Sequence, residues 1–416
     1  MKGRRALDIG AMTTQVALKE IENLTAKLFL SKEARREKDI ETQEQIAEIV
    51  FSKFSQLKGT GLKLLQALAL DEDLLPKPYI KKFEAAYGKV APITRPVVKK
   101  VIKSELGNAP EDLFAEFDYN AMAAASLGQV HLARLNTGDE VVVKVQYPNV
   151  ADNMQADMNF IKGVAKAVGN PLVRSSIEEL SESLIAETDY RKEAENLVWF
   201  DNLPEMVGLK TPKLFAEFST QRVLTMSRIP GTPLSADLSS EPRNQVLQMA
   251  FDYFFHTLTL GSCIHADPHP GNFLSADAHI GVVDFGSIKK NIPKEVVELF
   301  LLLVTPNADT QRIIKLYNLL GADTEGSEGD FYLQHVGAYH RLGSELLSKD
   351  QLDFSKLRPS ISEMRRTLFL NSRKACLQGL SSEFTLLHKA FQSLLFLMCK
   401  YKATISTERF QTYIQR

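Results

Sequence analysis

The chain has 416 residues, with 50 Lys and Arg against 51 Asp and Glu and a formal charge of −1. That length exceeds what one hydrophobic core supports and predicts two or three packed units. Apolar residues at 44 % and charged residues at 24 % exclude a disordered or fibrous chain, and near-neutrality argues against a nucleic-acid partner. Three cysteines, Cys263, Cys376 and Cys399, form no C-x-x-C pair, which points to a reducing compartment. No apolar run reaches the roughly 18 residues of a transmembrane span. The basic start Met1–Arg5 is followed by Asp8, Gln15 and Lys19, so no signal peptide is expected. A cytoplasmic protein is the expectation.

From the N terminus, Met12, Val16, Leu18, Ile21 and Leu24 recur at mostly helical spacing, and Ile46, Ile49, Val50, Phe54 and Leu57 repeat the pattern. The charged stretch Lys32–Asp39 between them reads as a solvated connector or helix face. Lys58-Gly-Thr-Gly61 is a break, Leu62–Leu70 a short helix, and Pro76, Pro78, Pro92 and Pro96 precede a basic helix at 97–106. The period then changes. Residues 128–135 and 140–146 are short β-prone runs, joined by the hairpin turn Asn136-Thr-Gly-Asp139. Residues 175–200 are helical, opened by the capping-box pattern Ser175-Ser-Ile-Glu178. A strand at Arg222–Met226 ends in Ile229-Pro-Gly-Thr-Pro233, a hinge or lobe boundary. From about 243 the chain reads as helical again, interrupted by a polar loop near 265–287.

Four features fall in one order. Ala123-Ala-Ala-Ser-Leu-Gly128-Gln-Val130 fits the spacing of a kinase phosphate loop, with Ala123 and Ala125 where glycine is usual. Small residues there, Ala124 and Ser126 included, let backbone amides approach phosphates closely. Alone, an Ala-rich turn between strands carries little. Lys144, fourteen residues past Val130 and flanked by valines, fits the strand lysine that contacts nucleotide phosphates, although a lone strand lysine more often faces solvent. The helix that follows offers Glu187, Asp189, Glu193 and Glu195. A buried ammonium needs an anionic partner, and Glu193 is the first choice, Glu187 the second.

The fourth feature is His265-Ala-Asp267-Pro-His269-Pro-Gly-Asn272, followed by Asp284-Phe-Gly286. Asp267 and Asn272 stand five apart, as in the kinase catalytic loop, with D-F-G twelve residues on. Asp267 would position or deprotonate an acceptor hydroxyl, while Asn272 and Asp284 supply hard oxygen ligands for Mg2+. A His-x-Asp-x-His metal site competes for His265, Asp267 and His269, but it leaves the D-F-G, Lys144 and the Ala-rich loop unexplained. Only six residues separate Gly286 from Pro293, too few for a protein-substrate platform. A small molecule, a lipid or water is the expected acceptor.

Together these motifs resemble the UbiB (AarF-like) family of atypical kinases, associated with coenzyme Q biosynthesis. The resemblance runs from about Lys58 to the D-F-G region. It is carried by the Ala-rich loop with Ser126, the stretch Glu187-Thr-Asp189-Tyr-Arg-Lys-Glu193-Ala and the His265–Asn272 loop. It implies that Lys63-Leu-Leu-Gln66 is similar to the family's K-x-G-Q motif, with Leu65 in place of glycine. Lys63 and Gln66 would then lie on a helix over the active site and restrain phosphoryl transfer. Lys63 would pair with Glu187 and Asp189, leaving Glu193 to Lys144.

The expected architecture is α+β, a two-lobed protein kinase-like fold with an N-terminal helical extension. Its parts are residues 1–110, an N-lobe at 111–228 and a mainly helical C-lobe at 229–416. ATP with Mg2+ would sit between the lobes, its adenine against backbone near Met226–Arg228. The expected function is phosphotransfer or ATP hydrolysis supporting ubiquinone or other isoprenoid-lipid metabolism, with a lipid or quinone precursor as further ligand. Peripheral membrane contact would fall to amphipathic surface such as Lys99, Lys100 and Lys103, or to Phe391–Leu397, which reads first as a core helix. The rivals are a small-molecule kinase resembling aminoglycoside phosphotransferases and a non-catalytic nucleotide-binding module.

Overall fold

The computed structural model describes residues 30–55, 93–125, 127–148, 188–235, 237–276, 279–322, 336–372 and 380–414, with scattered positions within 14–27 and 150–185. The chain divides into two compact units, Met1–Glu195 with Leu214–Arg228, and Asn196–Lys213 with Ile229–Arg416.

In the first unit, helix α1 (Lys32–Ser55) starts with the charged stretch, whose described residues are the exposed and half-exposed face of its first turns, the second of the two readings. Helix α2 (Arg95–Leu106) carries Pro96 in its first turn, where a missing N–H costs nothing. It stops at Gly107, whose φ of +81° lets its N–H reach the carbonyl of Lys103. Val98, Val101 and Ile102 form its buried face. A single-turn helix, α3 (Pro110–Leu113), follows.

Strands β1 (Glu116–Ala125), β2 (Gly128–Arg134), β3 (Glu140–Gln146) and β5 (Val223–Ser227) make one antiparallel sheet in the order β1-β2-β3-β5. Val141, Val143 and Val145 of β3 share a core with Val98, Val101, Ile102 and Phe114. Alternation along the strand sends Lys144 to the opposite face. The β2–β3 turn falls at 136–139 as expected, with Gly138 at φ +95° and the Leu135 N–H donating to the Asp139 carbonyl at 2.9 Å. The sequence reading did not mark β1, because alanines at 121 and 123–125 are weak strand formers. The Ala-rich segment is therefore a hairpin, with Ala123 opposite Val130 and Ala125 opposite Gly128.

Helix α4 (Tyr190–Phe200) closes the first unit and opens the second; residues 175–184, 186 and 187 of the expected helix lie outside the described residues. The second unit is built on α5 (Ser240–Gly261), whose Val246, Leu247, Ala250, Phe251, Phe255 and Leu258 are buried. Around it stand α6 (Lys294–Val304), α7 (Thr310–Leu319), α8 (Gly337–Leu347), α9 (Phe354–Ser372), α10 (Ser382–Lys400) and α11 (Glu408–Ile414). The Phe255 ring has Phe410 at 4.6 Å and Phe391 at 6.0 Å, an aromatic centre for the unit. Phe391, Leu394, Leu395 and Leu397 are core residues of α10, so Phe391–Leu397 is not a membrane-facing surface. Among the described residues no helix is long and apolar enough to cross a membrane.

The stretch 265–287 departs most from expectation. Strand β7 (Ile264–His265) pairs with β10 (Ile288–Lys289), and between them lie a 3-10 turn at Pro270–Asn272 and the hairpin β8 (Phe273–Ala276) and β9 (His279–Val282). Two-residue β4 (Leu209–Lys210) and β6 (Thr232–Pro233) complete that sheet, in the order β4-β9-β8-β6. Phe273, Ile280 and Val282 are buried, but four-residue strands are too short to display a period. A last pair, β11 (Gln351–Asp353) with β12 (Thr404–Ser406), ties α9 to the C-terminal segment.

Candidate active site

In the first unit, the Lys144 ammonium donates to both carboxylate oxygens of Glu193, at 2.9 and 2.8 Å. Both side chains are under 10 % exposed, and the Tyr190 ring lies 5.1 Å from the ammonium, close enough for a cation–π contact. Val130 stands opposite Lys144 in the β2–β3 register, and Gly128 opposite Gln146. Gly128 admits no side chain: a Cβ there would lie 2.3 Å from the Val145 carbonyl oxygen and 2.8 Å from the Tyr190 hydroxyl. Gln146 in turn donates to the Thr188 carbonyl at 2.9 Å, anchoring the residue before Asp189.

Asp189 accepts from the Arg191 backbone N–H and chelates its guanidinium, with Nη2 at 2.6 Å. That hydrogen bonding holds its carboxyl below the usual aspartate range. Met226 is buried on β5, so any ligand beside it would meet backbone. The Arg228 guanidinium pairs with Glu140 at 3.1 Å.

In the second unit, the loop after β7 is fixed through its backbone. His265 is buried; its Nδ1 accepts from the Asp267 N–H at 3.4 Å, so Nε2 carries the proton that it donates to the Asp284 carbonyl at 2.8 Å. Asn272 donates through Nδ2 to the Asp267 carbonyl at 3.0 Å, and its own carbonyl accepts from Val283 N–H at 3.1 Å. Asp284 Oδ1 accepts from the Gly286 N–H at 2.9 Å. The structure thus joins Asp267, Asn272 and Asp284 in one hydrogen-bonded loop system, which His265 tethers. With its amide nitrogen committed to Asp267, Asn272 presents Oδ1 as a hard donor. Together with the Asp284 carboxylate, that donor set fits Mg2+.

Sequence reasoning passed over two residues. Asn196 donates to the Phe285 carbonyl at 2.9 Å inside the second unit, and Tyr190 lies against Lys144. Both sit three residues from Glu193 on α4, one helical face, and that spacing was the available signal. Lys63, Gln66, Glu187 and Ser126 lie outside the described residues.

A model of the ABC1 atypical kinase-like domain matches residues 87–317. An uncharacterized aarF domain-containing chloroplast protein kinase of Arabidopsis thaliana is 34 % identical over 268 residues, covering 60 % of this chain and 49 % of that one. The atypical kinase COQ8B of Rattus norvegicus mitochondria is 30 % identical, covering 75 % of this chain and 61 % of that one. A probable protein kinase UbiB of Aeromonas hydrophila is 29 % identical, covering 68 % and 56 %. The chain spans about half the length of the curated relatives it matches. Among solved structures, Rv3197 of Mycobacterium tuberculosis, determined with erythromycin, superposes with a TM-score of 0.59 at 23 % identity over 89 % of this chain and 96 % of that one. That likeness concerns the fold, which is α+β and kinase-like. With more than half of its length matched by the family model, the chain belongs to the ABC1 atypical kinase-like family.

Proposed function

We propose that the chain binds ATP with Mg2+ and transfers the terminal phosphoryl group to a small acceptor or to water. The observation that carries this reading is the buried Lys144–Glu193 pair. A buried ion pair is a poor source of stability compared with apolar packing. Its value lies in holding an ammonium at a fixed place, where nucleotide phosphates need one. Asn272 and Asp284 would hold the metal, which when bound neutralises phosphate charge. Asp267 would orient the attacking hydroxyl. The hairpin of Ala123–Ala125 with Gly128–Val130 would bring backbone N–H groups to the phosphates.

Between Gly286 and α6 the chain makes only the β10 pairing and a short turn, which favours a non-protein acceptor. The division into 1–110, 111–228 and 229–416, a restraining role for Lys63, Gln66, Glu187 and Asp189, and a place in ubiquinone or other isoprenoid-lipid metabolism belong to the same reading. The division rests on the order of the motifs along the chain, and the other two on family resemblance.

The test is Mg-ATP binding and phosphate release by the full chain, Lys144→Met and Asp284→Asn. The native chain should turn ATP over, Asp284→Asn should weaken Mg2+-dependent nucleotide binding at least tenfold, and Lys144→Met should lower release further than binding. A native chain that binds Mg-ATP but neither releases phosphate nor transfers it, with and without lipid vesicles or phenolic quinone precursors, is a non-catalytic nucleotide module. Undiminished Mg2+-dependent binding by Asp284→Asn overturns the metal assignment.

A further inference from the structure

The second unit holds an open cavity of about 690 Å3, and none of Asp267, Asn272 and Asp284 lines it. One wall is the first half of α5, where Ser240, Glu241, Asn244, Gln245, Gln248 and Asp252 line the cavity. Their spacing places them on one helical face, while Val246, Leu247, Ala250 and Phe251 are buried. A polar helix face is ordinarily plain solvated surface. Here it is met by Ala276, His279 and Ile280 of the β8–β9 hairpin and by Thr404 and Ser406 of β12.

The side chains that form the floor are held in place. Gln248 donates to Asp252 Oδ1 at 3.0 Å and to the Ser406 carbonyl at 3.1 Å, and accepts from the Ser406 N–H at 2.6 Å. Asn244 accepts from the Thr404 N–H at 3.2 Å. Asp252, its side chain only 2 % exposed, meets Arg409 at 3.2 Å. On this fixed floor, Ser240, Gln245 and Thr404 offer hydroxyl and amide groups beside Met249 and Ile280, the lining of a small-ligand site in chemical terms.

Charge narrows the ligand. Arg409 balances Asp252, and the exposed Glu241 and Glu408, which also line the cavity, have no ion-pair partner among the described residues. Burial, then the nearby Lys210, lowers the pKa of His279. The balance is negative and the walls are rich in hydroxyl and amide groups, which disfavours an anion. We propose that this cavity binds a small polyhydroxylated molecule carrying a protonated amine, in chemical class an amino sugar. Its ammonium would face Glu241 and Glu408, and its hydroxyls would face Ser240, Gln245 and Thr404. The proposal stands apart from the phosphotransfer reading.

Glucosamine is the probe and glucose its neutral control, with binding to the full chain followed by saturation-transfer NMR and calorimetry. Glucosamine should bind saturably and glucose at least tenfold more weakly. Glu241→Gln and Glu408→Gln, both at exposed positions that tolerate substitution, should each weaken glucosamine about fivefold to tenfold, the range of one charge-assisted hydrogen bond. Asp284→Asn should leave it unchanged. Absence of saturable binding, equal binding of glucose, or indifference to both glutamine variants overturns the proposal and leaves a water-filled groove.

Discussion

Lys144 and Glu193 are separated by 49 residues, yet the Lys144 ammonium touches both carboxylate oxygens of Glu193, with both side chains largely buried. The geometry follows from two local facts. Alternation on β3 turns Lys144 away from the valine core, and α4 presents Glu193 between Tyr190 and Asn196 on its buried face.

Removing one member alone leaves a buried charge uncompensated. Lys144→Met and Glu193→Gln should each destabilise the chain by about 3 kcal/mol or more, whereas the double variant should lose well under the sum. Urea unfolding of the four proteins measures the coupling. Additive losses would show that the two groups do not depend on each other.

Asp252 predicts a pH dependence of stability. Burial raises its pKa from 3.8 to about 6, against the opposing pull of Arg409 and Gln248. The folded chain therefore holds this proton more tightly than the unfolded chain does. Between roughly pH 4 and 6 the folded state binds more protons, so this group's contribution falls as pH rises through that window. A shift of about two units corresponds to about 3 kcal/mol. Asp252→Asn lacks this dependence, so its stability relative to the native chain should rise by about that amount from pH 4 to pH 7. Urea midpoints at several pH values decide it; a difference that stays flat sinks the assignment.

The sequence made the candidate site more legible than the framework around it. The β-branched run Val141-Val-Val143 with Val145 announced β3, and the 136–139 turn announced its hairpin partner. The spacing of Asp267, Asn272 and Asp284 was readable because side-chain chemistry at fixed intervals does not depend on packing. Strand β1 was invisible because alanine favours helix, and only pairing with β2 overrides that preference. The β8–β9 hairpin escaped notice because Phe273, Ile280 and Val282 are too few to set a period. The Asn196 contact to Phe285 joins residues 89 apart, a relation that no local pattern carries.

Gly128 should tolerate no substitution. In Gly128→Ala the new methyl meets the Val145 carbonyl oxygen at 2.3 Å and the Tyr190 hydroxyl at 2.8 Å. The first obstacle is backbone within the β2–β3 ladder, so strands must part; the second is the end of a side chain. Overpacking of this kind costs about 1–3 kcal/mol. A lowered thermal midpoint is expected, and adding Tyr190→Phe should recover little of it. Full recovery would identify the hydroxyl, not the ladder, as the tight contact.

Asn196 anchors the carbonyl of Phe285, inside the Asp284-Phe-Gly286 motif, while the Phe285 ring packs on Phe200 at 5.2 Å. Asn196→Leu keeps bulk but withdraws the donor. An unsatisfied buried carbonyl costs about 1–3 kcal/mol, and the backbone can escape that cost by turning toward water. Amide hydrogen exchange at Phe285 and Gly286 should quicken in Asn196→Leu, while exchange in β2 and β3 stays unchanged. Asn196→Asp should behave worse at neutral pH, because its carboxylate would face the carbonyl oxygen with no proton to donate. If exchange at Phe285 and Gly286 is the same in all three proteins, the other bonds of this segment, His265 to the Asp284 carbonyl and Gly286 N–H to Asp284 Oδ1, suffice to hold it, and Asn196 is packing only.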